Sequence, residues 1–354
     1  MMRIAILTFQ DAKNYGAMLQ AFALKKVVSK FANADIINYY NPYFHKNVSL
    51  KNVKSLIKYM VNFKTNHKKN NRFLTFLNAY LVDNSPYIYK DKLYTISKNY
   101  DIYIVGSDQV WNLSCSGNDR AYFLDFVETE KKISYAASFG SDTIENIEEI
   151  SCYLRQFHRI SVREKSAKFI IEDLISSSIV SVVLDPTFLI SKEQWANEFN
   201  LTFRKEYVLV YEVLVGDKLF NSAIEFARQS NLKVICITNT DRLRMGAKVI
   251  KDAGPKEWLS LFAGAAYVFT NSFHGLAFSI NFEKQFYIEL LPPPSTTNAR
   301  IIELMEKFNL TNRFISNMNE NNIIDFSKLK KELEVERIKS ISFIKEAISE
   351  KDMI

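Results

Sequence analysis

Short apolar runs alternate with helix-length segments along most of the chain. Ile4 to Thr8, Asp35 to Tyr39, Ile102 to Gly106, Ile133 to Ala137 and Ile160 to Arg163 read as strands, and Ala17 to Phe31 reads as a helix between the first two. A second series follows Asp185-Pro186: a strand over Tyr207 to Val213, a helix through Phe220 to Arg228, a strand over Lys233 to Thr238, and a helix over Lys256 to Phe262. It continues with a strand over Tyr267 to Thr270, a helix after His274 and a strand over Gln285 to Ile288. Strand-helix alternation of this kind is the pattern of an α/β layer with a parallel sheet. Because the pattern occurs twice, the expectation is α/β with two Rossmann-like domains facing across a cleft, the GT-B-like arrangement. The boundaries expected are 1–180 for the N-terminal domain, 181–325 for the C-terminal domain, and 326–354 for a bracing helix with Leu329, Leu333 and Ile338 as packing points.

The length of 354 residues suits two domains, each large enough for its own core. A composition of 47% hydrophobic and 24% charged residues excludes disordered and fibrous chains. Cys115, Cys152 and Cys236 are far apart, which excludes a disulfide framework and a cysteine-rich zinc site. The apolar run Ile4-Ala5-Ile6-Leu7 is too short for a secretory leader, and no run reaches the ~18 apolar residues of a membrane span. These features lead to an expected cytoplasmic location, with any membrane contact peripheral.

Charge changes the picture in one place. The net charge is +7, yet no acidic residue occurs between Ile36 and Val82, where Lys46, Lys51, Lys54, Lys58, Lys64, Lys68, Lys69 and Arg72 are gathered. The rest of the chain is close to neutral, and with no nucleic-acid-binding signature a nucleic-acid partner is not expected. Within this basic segment, 45–72, the residues Val53, Leu56, Ile57, Met60 and Val61 form one stripe of an amphipathic helix. Such a helix either packs on a core with a solvated lysine face or lies on anionic lipid.

Ligands of open α/β sheets sit beyond the carboxyl ends of the strands, so the loops that follow strands carry the candidate chemistry. The first, Thr8 to Gly16, is long and polar, with Asn14, Tyr15 and Gly16 at a helix entrance where backbone N–H groups are available. The second, Gly106-Ser107-Asp108-Gln109-Val110-Trp111-Asn112, offers Ser107, Asp108 and Gln109 as hydrogen-bonding groups and Trp111 as an aromatic face, a set that suits a sugar. In the third, Arg163 ends a strand and can clamp a carboxylate or phosphate, unless a neighbouring carboxylate such as Glu164 pairs with it. The fourth, Thr270-Asn271-Ser272-Phe273-His274-Gly275, surrounds a histidine with hydroxyl and amide groups at a helix start, suited to proton exchange near pH 7. His45 and His67 fall in the basic segment and His158 before a strand, so His274 is the candidate acid/base. No G-x-S-x-G, Walker A, H-E-x-x-H or G-x-G-x-x-G occurs, and no cluster favours a metal.

At these loops the chain resembles the polysaccharide pyruvyl transferase family. The resemblance rests on NYGAMLQAFAL at Asn14 to Leu24, YDIYIVGSDQVWN at Tyr100 to Asn112, KKISYAASFG at Lys131 to Gly140, ISVREKS at Ile160 to Ser166, LDPTFLI at Leu184 to Ile190 and TNSFHGLAFSI at Thr270 to Ile280. It implies a GT-B-like fold and transfer of pyruvate from phosphoenolpyruvate, as co-substrate and without a further cofactor, to two hydroxyls of a cell-surface sugar. His274 would then act as acid/base or phosphate contact, and Asp108 as a second base. Asn271, Ser272, Phe273, Gly275, Arg163 and Arg300 would hold the donor, and Asn14, Tyr15, Gly16, Ser107, Asp108, Gln109 and Trp111 the acceptor. Many members carry an arginine two residues before the histidine, where this chain has Ser272; either Arg163 or Arg300 supplies the charge, or the donor differs. The expected partner is a lipid-linked sugar at an anionic membrane face. The alternatives are a glycosyltransferase using a nucleotide sugar, and a non-catalytic glycan-binding protein.

Overall fold

A computed structural model describes residues 2–45, 53–141, 144–175, 180–240, 242–292, 298–319 and 322–350, with the backbone alone over 53–59. The chain contains β1 (Arg3–Leu7), α1 (Tyr15–Val28), β2 (Asn33–Ile36), α2 (Val53–Phe76), α3 (Leu93–Ile96), β3 (Ile102–Val105), α4 (Leu113–Ser116), β4 (Lys131–Ala137), α5 (Ile147–Leu154), β5 (Arg159–Val162), α6 (Lys165–Ile175) and β6 (Val180–Val182). It continues with α7 (Lys192–Phe199), β7 (Tyr207–Tyr211), α8 (Asp217–Gln229), β8 (Lys233–Ile237), β9 (Ala247–Ile250), α9 (Pro255–Gly264), β10 (Ala265–Thr270), α10 (Phe273–Asn281), β11 (Gln285–Ile288), α11 (Asn298–Lys307) and α12 (Phe326–Ser349).

These elements form two units. The first is Met1–Lys46, Leu77–Ile190 and Lys330–Ile354, and the second is Asn47–Phe76 with Ser191–Leu329. The expected boundary near 180 therefore moves to 190, because β6 extends the first sheet and Asp185 is bonded into it. Two segments also change sides from the simple N-half and C-half division. α2 belongs to the second unit, where Arg72 pairs with Asp252 at 3.4 Å and Glu257 at 3.1 Å and Phe76 stacks on Phe199. α12 from Lys330 onward belongs to the first, held by Arg337 donating to the Phe188 carbonyl, by Leu184 N donating to Ser340 Oγ at 3.0 Å, and by paired Arg159–Glu350 bonds of 2.7 Å. Leu329 and Leu333 are buried as expected of packing points, whereas Ile338 is exposed.

Each unit is built on one all-parallel sheet. The first has strand order β2-β1-β3-β4-β5-β6 and the second β11-β10-β7-β8-β9. The central strands are buried on both faces, as Ile4 to Leu7, Ile102 to Val105 and Val208 to Tyr211 show. That double burial explains why they read as continuous apolar runs. α1 is buried nearly all round and packs on residues 186–188, consistent with its Ala- and Leu-rich sequence. The orders matter for function because each sheet reverses its direction of growth once. In the first the reversal falls between β1 and β3, and in the second between β7 and β10. A crevice opens beyond the carboxyl ends of strands at such a point.

Candidate functional site

Three of the four loops singled out by sequence lie at these two reversals, while the Arg163 loop leaves β5, two strands beyond β3 in the first sheet. In the first unit the exits of β1 and β3 are pressed together. Thr8 Oγ1 donates to the Ser107 carbonyl at 2.9 Å, Gln20 Nε2 donates to Thr8 Oγ1 at 2.8 Å, and a Cβ on Gly106 would stand 2.9 Å from Thr8 Cβ. Glycine at 106 is therefore a packing requirement of the close approach. Asp108 follows with φ of +82°, a left-handed conformation rare outside glycine and one that active-site loops often hold. Its Oδ1 accepts the Gln109 N–H at 2.9 Å.

Several proposed acceptor residues have other employment. Trp111 is 1% exposed, stacks with Phe123 at 5.8 Å and donates Nε1–H to the Tyr122 carbonyl, so it is a core residue and cannot present a face to a sugar. Ser107 is likewise interior, its hydroxyl donating to Asp185 Oδ2 at 3.0 Å. Asn14 is the exposed N-cap of α1, accepting from Ala17 N, while Tyr15 and Gly16 are buried in the first turn. Of the second loop, Gln109 and Asn112 are half-buried, and Asp108 is 9% exposed.

Arg163 is not an anion clamp. Its guanidinium is buried and donates to Asp185 Oδ2 at 2.9 Å, with Asp108 and Glu164 carboxylates each at 3.8 Å. Burial opposes its charge, but Asp185, Glu164 and Asp108 together hold its pKa above the ordinary value. Three carboxylates around one cation leave no excess positive potential for an incoming anion. Asp185 also accepts from Thr187 N at 3.0 Å and Thr187 Oγ1 at 2.7 Å. The sequence signal for this anchor was Asp-Pro directly after the Val180 to Leu184 run.

In the second unit, Asn271-Ser272-Phe273-His274-Gly275 connects β10 to α10. Asn271 is structural: it accepts from Val213 N at 2.9 Å and donates to the Leu214 carbonyl at 2.8 Å, tying down the exit of β7. Ser272 caps the helix by accepting from Gly275 N at 3.3 Å. A Cβ at 275 would meet Thr270 Oγ1 at 2.4 Å, and that hydroxyl is already engaged with the Tyr211 carbonyl at 2.6 Å, so only glycine fits. His274 is thus fixed in the first turn, 7% exposed, with its ring edge-on to Phe273 at 5.3 Å. Over the Phe273 ring stands the Arg300 guanidinium, 5.6 Å from its centroid. A cation of α11 thus stands beside Phe273.

Sequence reading missed the carboxylates around this corner. Glu212, just after β7, forms a buried two-pronged pair with Arg244 at 2.6 and 3.0 Å. Glu289, just after β11, accepts from Leu219 N at 3.2 Å, and burial raises its pKa above the usual carboxylate range. Both occupy the first position after a core strand, the signal that would have found them. In the first unit Asp11 and His45 were also missed; they are in contact across 34 residues of sequence.

Two all-parallel sheets with polar loops gathered at their strand exits define an α/β protein of two Rossmann-like units. The family model for polysaccharide pyruvyl transferase matches residues 14–288, and the chain belongs to that family. A comparison with curated proteins found no match. Among solved structures the chain is similar to UDP-GlcNAc 2-epimerase from Methanocaldococcus jannaschii, at 13% identity, TM-score 0.52, covering 94% of this chain and 92% of that one. It is also similar to the Escherichia coli heptosyltransferase WaaC with ADP, at 13% identity, TM-score 0.43, covering 84% and 90%.

Proposed function

We propose that the chain transfers the pyruvyl group of phosphoenolpyruvate to two hydroxyls of a sugar in cell-surface polysaccharide synthesis. Besides the family, one observation carries this reading: His274 and Arg300 flank the same Phe273 ring, putting a proton-transfer group and a cation in one corner at a strand exit. Phosphoenolpyruvate asks for both. A proton added to its CH₂ makes C2 cationic, a sugar hydroxyl adds to C2, and phosphate departs with the C–O electron pair as the second hydroxyl closes the ketal. His274 serves the proton, and Arg300 serves the donor's carboxylate or phosphate. The two hydroxyl protons released balance the one taken up by carbon and the one leaving with phosphate.

Phosphate release from phosphoenolpyruvate with a panel of aryl and lipid-linked hexosides tests the reading. Acceptor-dependent release is the expected result. Turnover of a nucleotide sugar, with no calorimetric binding of phosphoenolpyruvate, would replace it with glycosyl transfer.

The acceptor is lipid-linked in this proposal, and α2 meets the membrane. Among the described residues no helix is long and apolar enough to cross a bilayer. α2 carries no acidic residue, and its described residues Met60, Val61 and Phe63 are 67, 75 and 52% exposed beside the exposed Lys64. The stripe residues Val53, Leu56 and Ile57 lie outside the described side chains. Apolar groups ringed by lysine favour an anionic interface, at about 1 kcal/mol for each lysine near the surface. In flotation assays, binding to anionic vesicles is expected to weaken at least ~10-fold on combining Met60→Ser, Phe63→Ser and Lys64→Glu. Equal binding of the wild type to neutral and anionic vesicles would remove this docking mode.

A further inference from the structure

The first unit contains a histidine–carboxylate pair that neither the motifs nor the donor corner uses. Asp11 lies in the loop leaving β1, at the reversal of the first sheet, and its Oδ2 is hydrogen-bonded to His45 Nε2. Its other oxygen accepts the Tyr87 hydroxyl at 3.1 Å. The carboxylate is 6% exposed and the imidazole 22%, so the acid is the interior member and the histidine faces outward. Burial raises the Asp11 pKa, while the bonds from His45 and Tyr87 pull it back down. The imidazole stacks on Tyr40, with centroids 4.3 Å apart and planes 14° from parallel, and Tyr87 and Tyr89 pack around Tyr40 at 5.4 and 5.1 Å. Tyr89 is half exposed and Tyr43 more than a third.

A carboxylate on one ring nitrogen fixes the tautomer and stabilises the imidazolium that forms when the other nitrogen takes a proton. With Nε2–H directed at Asp11, Nδ1 carries the lone pair. Among the described residues no hydrogen bond forms at Nδ1. Tyrosine faces around such a base match the alternating C–H and O–H surface of a pyranose. Asp108, the base expected from sequence, is 3.8 Å from the buried Arg163 guanidinium.

We propose that Asp11, His45 and the tyrosines around them form a sugar-hydroxyl site of the first unit, in which His45 Nδ1 accepts the hydrogen bond of an acceptor hydroxyl. The inference rests on the pyruvyl-transfer reading for its ligand, the hydroxyl-bearing acceptor. His45 is the group that touches the sugar, and Asp11 is its positioning residue.

The test combines two readouts on the full chain. The first is the ¹⁵N resonance of His45 during titration with the aryl hexoside panel, without donor. The second is acceptor-dependent phosphate release by His45→Gln, whose amide can keep the bond to Asp11 and hence the local fold, and by Asp11→Asn. The expected result is a shift of the Nδ1 resonance with at least one hexoside and a rise of about 10-fold in the acceptor KM for His45→Gln, with phosphoenolpyruvate binding by calorimetry unchanged. Asp11→Asn is expected to raise that KM by a smaller factor and to change the tautomer signature. An acceptor KM unchanged in His45→Gln, or a His45 resonance unmoved by every hexoside, would overturn the proposal and leave the pyruvyl reading intact. A His45 shift with no phosphoenolpyruvate binding would remove the pyruvyl reading and keep the sugar site.

Discussion

His274→Ala is expected to abolish acceptor-dependent phosphate release to within a factor of about 10² to 10⁴ below wild type, the range for losing a positioned acid/base group. The fold should survive, because Ser272 still caps α10 through Gly275 N and alanine favours the helix. Secondary structure and urea midpoint therefore stay near wild type while kcat falls. Arg300→Met is the companion experiment. It removes the cation over Phe273 and keeps much of the side-chain volume, so it should raise the phosphoenolpyruvate Kd more than it lowers kcat. Calorimetry and initial rates separate the two. Turnover of His274→Ala at the wild-type rate would take the histidine out of the chemistry.

The largest expected loss of stability follows Asp185→Ala. Asp185 has no exposed side-chain surface and accepts from Arg163, Ser107 and both the amide and hydroxyl of Thr187. Removing it takes away the carboxylate 2.9 Å from the buried Arg163, where Asp108 and Glu164 stand at 3.8 Å, and breaking a buried pair from one side costs about 3–5 kcal/mol. Asp185→Asn keeps the shape and part of the hydrogen bonding and should lie between. The midpoint can be followed by Trp111 fluorescence in a background with Trp195→Phe and Trp258→Phe, since Trp111 is the tryptophan of the first unit. A midpoint unchanged in Asp185→Ala would show that the network contributes little net stability.

The strands carrying the site were legible because a strand covered on both faces must be continuously apolar, and its polar sequel marks the exit. β9 was not legible: Ala247-Lys248-Val249-Ile250 is an edge strand with an exposed lysine, and its pattern is neither continuous nor alternating. β6 has only three residues. Residue types placed His274 at a helix start, as the structure has it, but partners distant in sequence decided the surroundings of the other candidates. Ser107, Asp185 and Arg163 converge from three segments, and nothing local to Arg163 announces that its charge is already neutralised. Trp111 sits among polar loop residues yet points into an aromatic cluster with Phe123, Phe139 and Phe157. His45 was set aside for its basic neighbourhood, although the carboxylate it meets lies in the first loop.

The interleaving of the units bears on how the chain is made. Arg72 meets the Asp252 carbonyl across 180 residues, and the buried Phe73 and Phe76 belong to the same helix. During vectorial synthesis α2 leaves the ribosome long before α9 exists to receive it, so its aromatic end must wait uncovered or be shielded by a chaperone. The first unit waits longer still, since Ser340 and Glu350 close it from the far end of the chain. Neither unit can be excised by one cut, and a chain stopped at Ile190 would lack the closing helix of the very unit it was meant to isolate.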